Sequence, residues 1–389
     1  MHILMLPSWY IPHGGQFVRN QAQALKEKGL TVNVLANVSL ALTFDKTKYF
    51  TLPYRTFVSE EDDLTVFRFF QRSIPKTSKL NGLLWSYMTV RLFEKYQKKF
   101  GAPDIIHVHS ALWGGYAAYL IKQKYNIPYI ITEHRGVYGC LCEFAKKNFE
   151  EWQTPFLEKA FSNADYITPV SKLQIPKIKT FLTKEIPVLP VSNVINTDFF
   201  HFKERKNDTE TIKFVATNGL YFVKAYDILI PAFDNACGVN PNIEISIVGE
   251  NFEGKEFQKI WNGVKHKDCF RFTGELTAEG VRNELWNADI FIIPSRVESQ
   301  SVATLEALST GLPIIATTTI PKIMTTPENS IVVPVENTEA MTDAIIEMSK
   351  NYKNYNSKAI SEHIKTVCSK EAFTKAIMSV YQQVFDNKK

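Results

Sequence analysis

Short apolar runs alternate with amphipathic stretches along nearly the whole chain. HILML (2–6) precedes a helical stretch at about 16–29, and TVNVL follows it. LTVFRF (64–69), DIIHVH (104–109), PYIITEH (128–134) and DYITPVS (165–171) come next, mostly with helical patterns between them. A second series, IKFVATN, IEISIVG, CFRFTG, DIFIIP, PIIAT and SIVVPV, starts near residue 212. Apolar runs separated by helices rather than tight hairpin turns predict βαβ units and parallel sheets. The predicted fold is α/β, with two doubly wound, Rossmann-like domains facing each other across a cleft. Residues 1–195 form the first and 196–370 the second, joined near residue 195, with the polar tract KERKNDTET as the best candidate for a break. The last helical run, EAFTKAIMSVYQQVF (371–385), follows the final strand, and one placement for it is back on the first domain. Parallel sheets take ligands outside the carboxyl ends of their strands, so the chemistry is expected there.

Composition narrows the class. A chain of 389 residues is long enough for two or three domains. A net charge of +5 does not call for nucleic acid, and it suits an anionic ligand or an acidic membrane face. MHILMLPSWY has neither a charged n-region nor a long apolar core, so it does not read as a signal peptide, and no stretch approaches a membrane span. Five cysteines lie scattered at 140, 142, 237, 269 and 368, and Cys140–Cys142 alone makes neither a zinc site nor a disulfide framework. The expectation is a reduced cytoplasmic protein.

DIFIIPSRVESQSVATLEAL reads as strand, loop and helix. Ser299 or Ser301 is the expected N-cap, Ala303 to Leu308 the helix body and Gly311 its stop. The first amides of such a helix lack internal partners and suit a phosphate. Glu298 and Glu306 bracket that point with seven residues between them. Like charges repel, so the acids suit hydroxyls beside a diphosphate: Glu306 a ribose, Glu298 a transferred sugar. The plainer alternative is two acids decorating a surface helix end.

The residues around them resemble the retaining glycosyltransferases of the GT-B fold, in the large family (the family 4 type) that includes many bacterial polysaccharide and lipopolysaccharide enzymes. The pattern stands here as Pro294-Ser295, Glu298, Leu305-Glu306-Ala307 and Gly311-Leu312-Pro313. LPSWYIPHGGQFVRNQAQAL, PDIIHVHSALWGG, PYIITEH, SNVINTDFF and TPENSIVVPVENTEAMTDAI extend the resemblance along most of the chain, whereas residues 40–100 match weakly. The resemblance implies a hexosyltransferase-like enzyme moving a sugar from a nucleotide-diphosphate sugar to a glycan or lipid-linked acceptor, with retention of configuration. It implies no cofactor beyond that donor. No D-x-D pair follows a strand, so no catalytic metal is predicted.

Roles carry over residue by residue. Gly14 and Gly15 hold the place of the glycine loop that approaches the donor diphosphate. His134 matches the family's active-site histidine. His109 shares a strand face with His107 and is given a positioning role, as is Arg19. Lys224 matches the diphosphate lysine, but Gly219 stands where the family places an arginine, and Arg19, Arg135 and Arg296 are the candidates to compensate. Thr318-Thr319 and Lys322 also depart from the pattern. The amides of Ser299, Gln300, Ser301 and Val302 are assigned to the departing nucleotide. Gly274, Glu275 and Leu276 are assigned to the base.

Two questions stay open. Residues 64–100 mix aromatic, apolar and basic side chains, and Leu80, Leu83, Leu84, Tyr87, Met88 and Arg91 fall at helical spacing. The favoured reading is a sheet-packing core helix; peripheral contact with an acidic membrane is the other. Gly219 motivates an alternative function, a non-catalytic sugar-nucleotide-binding scaffold, and a nucleotide-sugar epimerase is a third.

Overall fold

The computed structural model describes residues 1–387 apart from 13, 43–45, 139–149 and 206–209. Cys140, Cys142 and part of KERKNDTET therefore lie outside the described residues. The chain divides into two compact units, Met1–Val194 with Lys370–Lys389, and Ile195–Ser369.

The first unit contains β1 (His2–Pro7), β2 (Thr31–Ala41), β3 (Phe57–Glu61), β4 (Leu64–Ser73), β5 (Ile105–His109), β6 (Tyr129–Glu133) and β7 (Tyr166–Pro169). They form one sheet in the order β3-β4-β2-β1-β5-β6-β7. All neighbours are parallel except β3 and β4, which form a hairpin. That hairpin escapes the sequence pattern because its turn is Asp62-Asp63 rather than a glycine pair. Both aspartates take positive φ, 47° and 65°, as the twist of a two-residue hairpin turn demands. β5 and β6 are buried along their full length, as expected for parallel strands covered on both faces. On one face the helix Gln16–Glu27 packs with the terminal helix Lys370–Asp386, where Phe373, Ile377, Val380 and Val384 join Val18, Ala22 and Leu25 in one core.

The helix Ser78–Phe100 packs on the sheet as expected, with Leu83 half-buried and Met88 packed against the core, but the other four positions of the stripe point outward. Leu80, Leu84 and Tyr87 are 46%, 45% and 55% exposed, and Arg91 is also exposed. The buried face carries Gly82, Trp85, Ser86, Thr89, Leu92, Phe93 and Tyr96. Its polar members are satisfied. Trp85 Nε1 donates to the Asn37 carbonyl at 2.8 Å, and the Asn33 amide donates to Tyr96 OH at 2.9 Å. Ser86 and Thr89 return their hydroxyls to carbonyls one turn back, at 3.0 and 2.8 Å. Hydrogen-bonded aromatic and hydroxyl residues outcompete plain leucines for this sheet face.

The second unit contains β8 (Ile212–Thr217), β9 (Ile243–Val248), β10 (Phe270–Gly274), β11 (Ile290–Ile293), β12 (Ile314–Thr317) and β13 (Ser330–Val333). Its sheet is parallel throughout, in the order β10-β9-β8-β11-β12-β13. This is the 3-2-1-4-5-6 order of dinucleotide-binding folds, which reverses between β8 and β11. In the first unit the order reverses between β1 and β5. The crevices at these reversals, beyond the strands' carboxyl ends, are where ligands are sought.

Candidate active site

In the second unit the loop after β11 leads into the helix Val302–Ser309. Of the two candidate N-caps, Ser301 takes the position, its hydroxyl accepting from the Thr304 amide at 3.2 Å. Gly311, at φ 82°, lies just beyond the helix end. Ser295 anchors the start of the loop: its carbonyl accepts from Thr317 Oγ1 at 2.6 Å and Thr319 Oγ1 at 3.0 Å. Thr319, where the family pattern differs, thus acts as a brace. Gln300 is buried, and Ser299 and Val302 are half-buried.

Lys224 comes from the loop after β8 and donates to Glu298 Oε1 at 2.6 Å. Ser295 Oγ donates to the same oxygen at 2.9 Å. Both charged side chains are mostly buried, 20% and 10% exposed. A lysine and a carboxylate are thereby fixed together at the reversal of the sheet, one loop ahead of a helix amino terminus. Glu306 lies further along that helix and is partly exposed. Loss of hydration pushes its carboxyl up to about 8, so at neutral pH it is largely protonated and can donate as well as accept.

The missing arginine is not replaced by Arg296. That guanidinium makes two bonds to the Asp227 carboxylate, at 2.9 and 2.6 Å, and donates to Glu336 at 2.8 Å and to the Phe222 carbonyl at 2.6 Å. It also lies 4.3 Å over the Phe222 ring. Arg296 is a clamp between the loops after β8 and β11, its charge balanced by two acids. At Gly219 the space an arginine would enter is filled. A Cβ there would stand 2.9 Å from Glu250 Cγ, from the Glu250 carbonyl and from Tyr221 Cε2. The Tyr221 hydroxyl donates to Glu250. Gly274 has φ 72°, and its carbonyl accepts from the Gly249 amide at 2.9 Å, while Gly249 lies against the Asn218–Gly219 backbone. The loops after β8, β9 and β10 therefore touch, with Glu275 and Leu276 exposed at their rim.

In the first unit Gly14 and Gly15 take φ 88° and 86° after β1. Gly15 caps the helix Gln16–Glu27, and a Cβ there would lie 2.8 Å from the Trp9 carbonyl, so glycine is required. The helix has no side-chain cap and no acid in its first turn; the Val18 and Arg19 amides bond the Gly15 carbonyl, so it is the Gln16 and Phe17 amides that suit an anion. Phe17 of that turn stacks on His134 with ring centres 3.9 Å apart. His134 Nε2 and His109 Nδ1 share a hydrogen bond at 3.0 Å, and Asn193 is a further partner of His134. His107 stacks on His109 at 4.5 Å and bonds Tyr381 OH and Thr132 Oγ1, both at 2.7 Å. Burial pushes His107 and His134 down to about 3, and burial beside these two holds His109 well below its usual value, so all three rings are neutral at pH 7. Arg19 is turned away to Asp62 of the hairpin, and the Arg135 guanidinium lies 5.7 Å over the Tyr138 ring.

Glu133 had no role in the sequence reading. Fully buried at the end of β6, it accepts from the Ala111 amide at 2.8 Å and from the His134 and Arg135 amides at 2.9 Å each. Its signal was a charged residue closing the otherwise apolar PYIIT. Ser8 grips the same region from β1, donating to the Ser110 and Leu112 carbonyls and accepting from the Gly114 amide. Ser110 and Trp113 there hold positive φ, 71° and 65°, a strain that these bonds sustain. Among the described residues no group of three or more His, Cys, Asp or Glu side chains is arranged to hold a metal ion, and no helix is long and apolar enough to cross a membrane.

Residues 14–199 match the family model described as Glycosyltransferase Family 4, and residues 210–351 that described as Glycosyl transferases group 1. TuaC of Bacillus subtilis (strain 168), named for teichuronic acid biosynthesis, is 23% identical over 323 residues, which cover 80% of this chain and 78% of TuaC. The sucrose-phosphate synthase of Thermosynechococcus elongatus superposes with a TM-score of 0.80 at 17% identity, over 100% of both chains. HepE of Anabaena, solved with UDP and glucose, gives 0.74 at 12% identity, over 98% of this chain and 99% of HepE. With matching models over both units and two sheets of the same architecture, this chain is a glycosyltransferase of the GT-B fold.

Proposed function

We propose that the enzyme transfers a sugar, with retention of anomeric configuration and without a catalytic metal, from a nucleotide-diphosphate sugar to a hydroxyl of a glycan or lipid-linked glycan. The observation that carries this reading is the Lys224–Glu298 pair at the sheet reversal ahead of the helix Val302–Ser309. The UDP bound by HepE makes uridine diphosphate sugars the first donors to test, and the name of TuaC points to a cell-surface polysaccharide.

On this reading the donor diphosphate takes the amides of Ser299 to Val302 and draws Lys224 away from Glu298. Glu298, released, accepts hydrogen bonds from hydroxyls of the sugar, and Glu306 bonds the ribose. The acceptor oxygen attacks the anomeric carbon on the face that the diphosphate leaves. The bond to the phosphate oxygen breaks, and that oxygen receives the acceptor's proton. His134 stays neutral beneath Phe17, engaged by His109 and Asn193, which suits a wall for the sugar rather than a proton carrier. The first unit's exposed Leu80, Leu84 and Tyr87, flanked by Lys76, Lys79 and Arg91, suit an acidic lipid surface beside a lipid-linked acceptor.

The test is turnover of uridine, guanosine and adenosine diphosphate sugars with a panel of glycan acceptors, reading the product anomer by NMR. Retention at a rate unaffected by EDTA is expected. An inverted product, or turnover that needs a divalent cation, overturns the mechanism. Flotation with anionic vesicles, lost at high salt, is the corresponding membrane test.

A further inference from the structure

The second unit holds a cavity of about 760 Å³ that the transfer chemistry leaves unused. It lies between the turn 326–329, which leads into the amino end of β13, and residues 351–363, which run from the end of the helix Thr338–Asn351 through the connection into the first turns of the helix Ser357–Cys368. The donor loops leave the carboxyl ends of β8 to β11, so the two sites occupy opposite ends of one sheet.

Hydrogen bonds and packing hold the walls of the cavity. Asn329 is buried with both ends of its amide used, accepting from the Thr326 amide at 2.8 Å and donating to the Met324 carbonyl at 3.2 Å. Asn356 Oδ1 caps its helix through the Ala359 amide at 3.0 Å. Ile360 forms a buried floor, and Tyr355 is wedged against two core clusters. From this frame Asn351 and Asn354 extend exposed side-chain amides, and Glu328 and His363 complete the polar lining.

The lining chemistry selects a ligand class. Side-chain amides pair a donor with an acceptor at the spacing of neighbouring hydroxyls, and a carboxylate and an imidazole add to that set. The Tyr355 ring and Ile360 offer an apolar face to sugar C–H groups. No lysine or arginine lines the cavity, which disfavours phosphate. The volume is that of a small-ligand site. We propose that this cavity is an accessory saccharide-binding site that holds a neutral stretch of the acceptor glycan away from its reacting end. The proposal rests on the reading that the acceptor is a glycan.

The full chain, without donor, is titrated by calorimetry and saturation-transfer NMR with malto-, cello- and chito-tetrasaccharides and probed on an array of bacterial surface glycans. Saturable binding of at least one saccharide is expected. The double variant Asn351→Ala/Asn354→Ala, at exposed positions and so expected to fold, should weaken it about tenfold. UDP binding should be unchanged. In turnover assays the same variant should raise KM for long acceptors and leave short ones unaffected. Absence of saturable binding by any saccharide, or binding that the double variant leaves intact, overturns the proposal. Failure of donor turnover would instead strike the functional reading above and leave the saccharide titration interpretable.

Discussion

Lys224 Nζ lies 2.6 Å from Glu298 Oε1, although the two residues stand 74 positions apart and leave neighbouring strands where the sheet order reverses. In the unliganded protein the lysine that would meet the diphosphate is therefore already neutralised. On the proposed donor site, the diphosphate competes with Glu298 for it. Glu298→Gln removes the competing charge and should tighten binding of free UDP several-fold while lowering transfer, because the sugar loses its acceptor. Lys224→Met should weaken UDP and also destabilise the fold by roughly 1–3 kcal/mol, since it leaves a mostly buried carboxylate with only Ser295. Calorimetry with UDP, beside turnover and thermal melts, separates these effects. Weaker UDP binding by Glu298→Gln would sink the competition argument.

Glu133 ties the strained turn after β5 to the start of the loop carrying His134 through three backbone amides. Glu133→Gln keeps one acceptor oxygen but must turn an amide NH2 toward an N–H donor, leaving one buried donor unsatisfied. The expected cost is about 1–3 kcal/mol. Because Glu133 bonds both the His134 amide and the turn after β5, kcat should fall more than the UDP dissociation constant rises. If kcat stays at the wild-type value in a folded Glu133→Gln protein, the carboxylate serves stability alone.

How much of this was readable in the chain depends on the range of the interaction. The strand, loop and helix around residues 290–309 and the Gly14–Gly15 turn follow from local periodicity and local backbone demands. The cap was legible only as Ser299 or Ser301, and the structure decides for Ser301. The hairpin was not legible, because aspartates forced into positive φ carry no glycine signature. Leu80, Leu84, Tyr87 and Arg91 on Ser78–Phe100 face outward although their spacing reads as core, because spacing ranks leucines as core and cannot see that Asn33 and Asn37 on β2 would satisfy Tyr96 and Trp85. The Arg296 clamp and the Lys224–Glu298 pair join residues that no local pattern links. Side-chain chemistry at the strand ends was visible residue by residue, but the pairings that decide which charges remain available were not.

Glu306 makes stability depend on pH in a direction unusual for an acid. Its folded carboxyl titrates near 8, above the range of an unfolded glutamate, so between about 4.5 and 8 the folded chain holds a proton that the unfolded chain has released. Stability from this group is full below that window and is lost as pH rises through it. Glu306→Gln should remove the loss, leaving the variant more stable than the wild type at pH 9 and little changed at pH 5. Melting temperatures across that range test it, and equal slopes for both proteins would show that Glu306 ionises normally.

Gly219 gives the sharpest test of how this site differs from its family pattern. Restoring the expected arginine looks like a gain of a diphosphate ligand, but a Cβ at 219 would press on Glu250 at two points and on the Tyr221 ring. The Glu250 carbonyl also accepts from the Leu220 amide at 2.8 Å, so the neighbouring backbone cannot withdraw without breaking that bond. Gly219→Arg should therefore destabilise the second unit by about 1–3 kcal/mol, as overpacking does, and should fail to improve UDP binding. Adding Glu250→Gly removes the carboxylate and the side-chain contact, though not the carbonyl. The double variant should recover part of the lost stability and bind UDP more tightly than the single variant. If Gly219→Arg alone binds UDP more tightly than the wild type with an unchanged melting temperature, the loop is free to shift and Glu250 does not block the arginine's place.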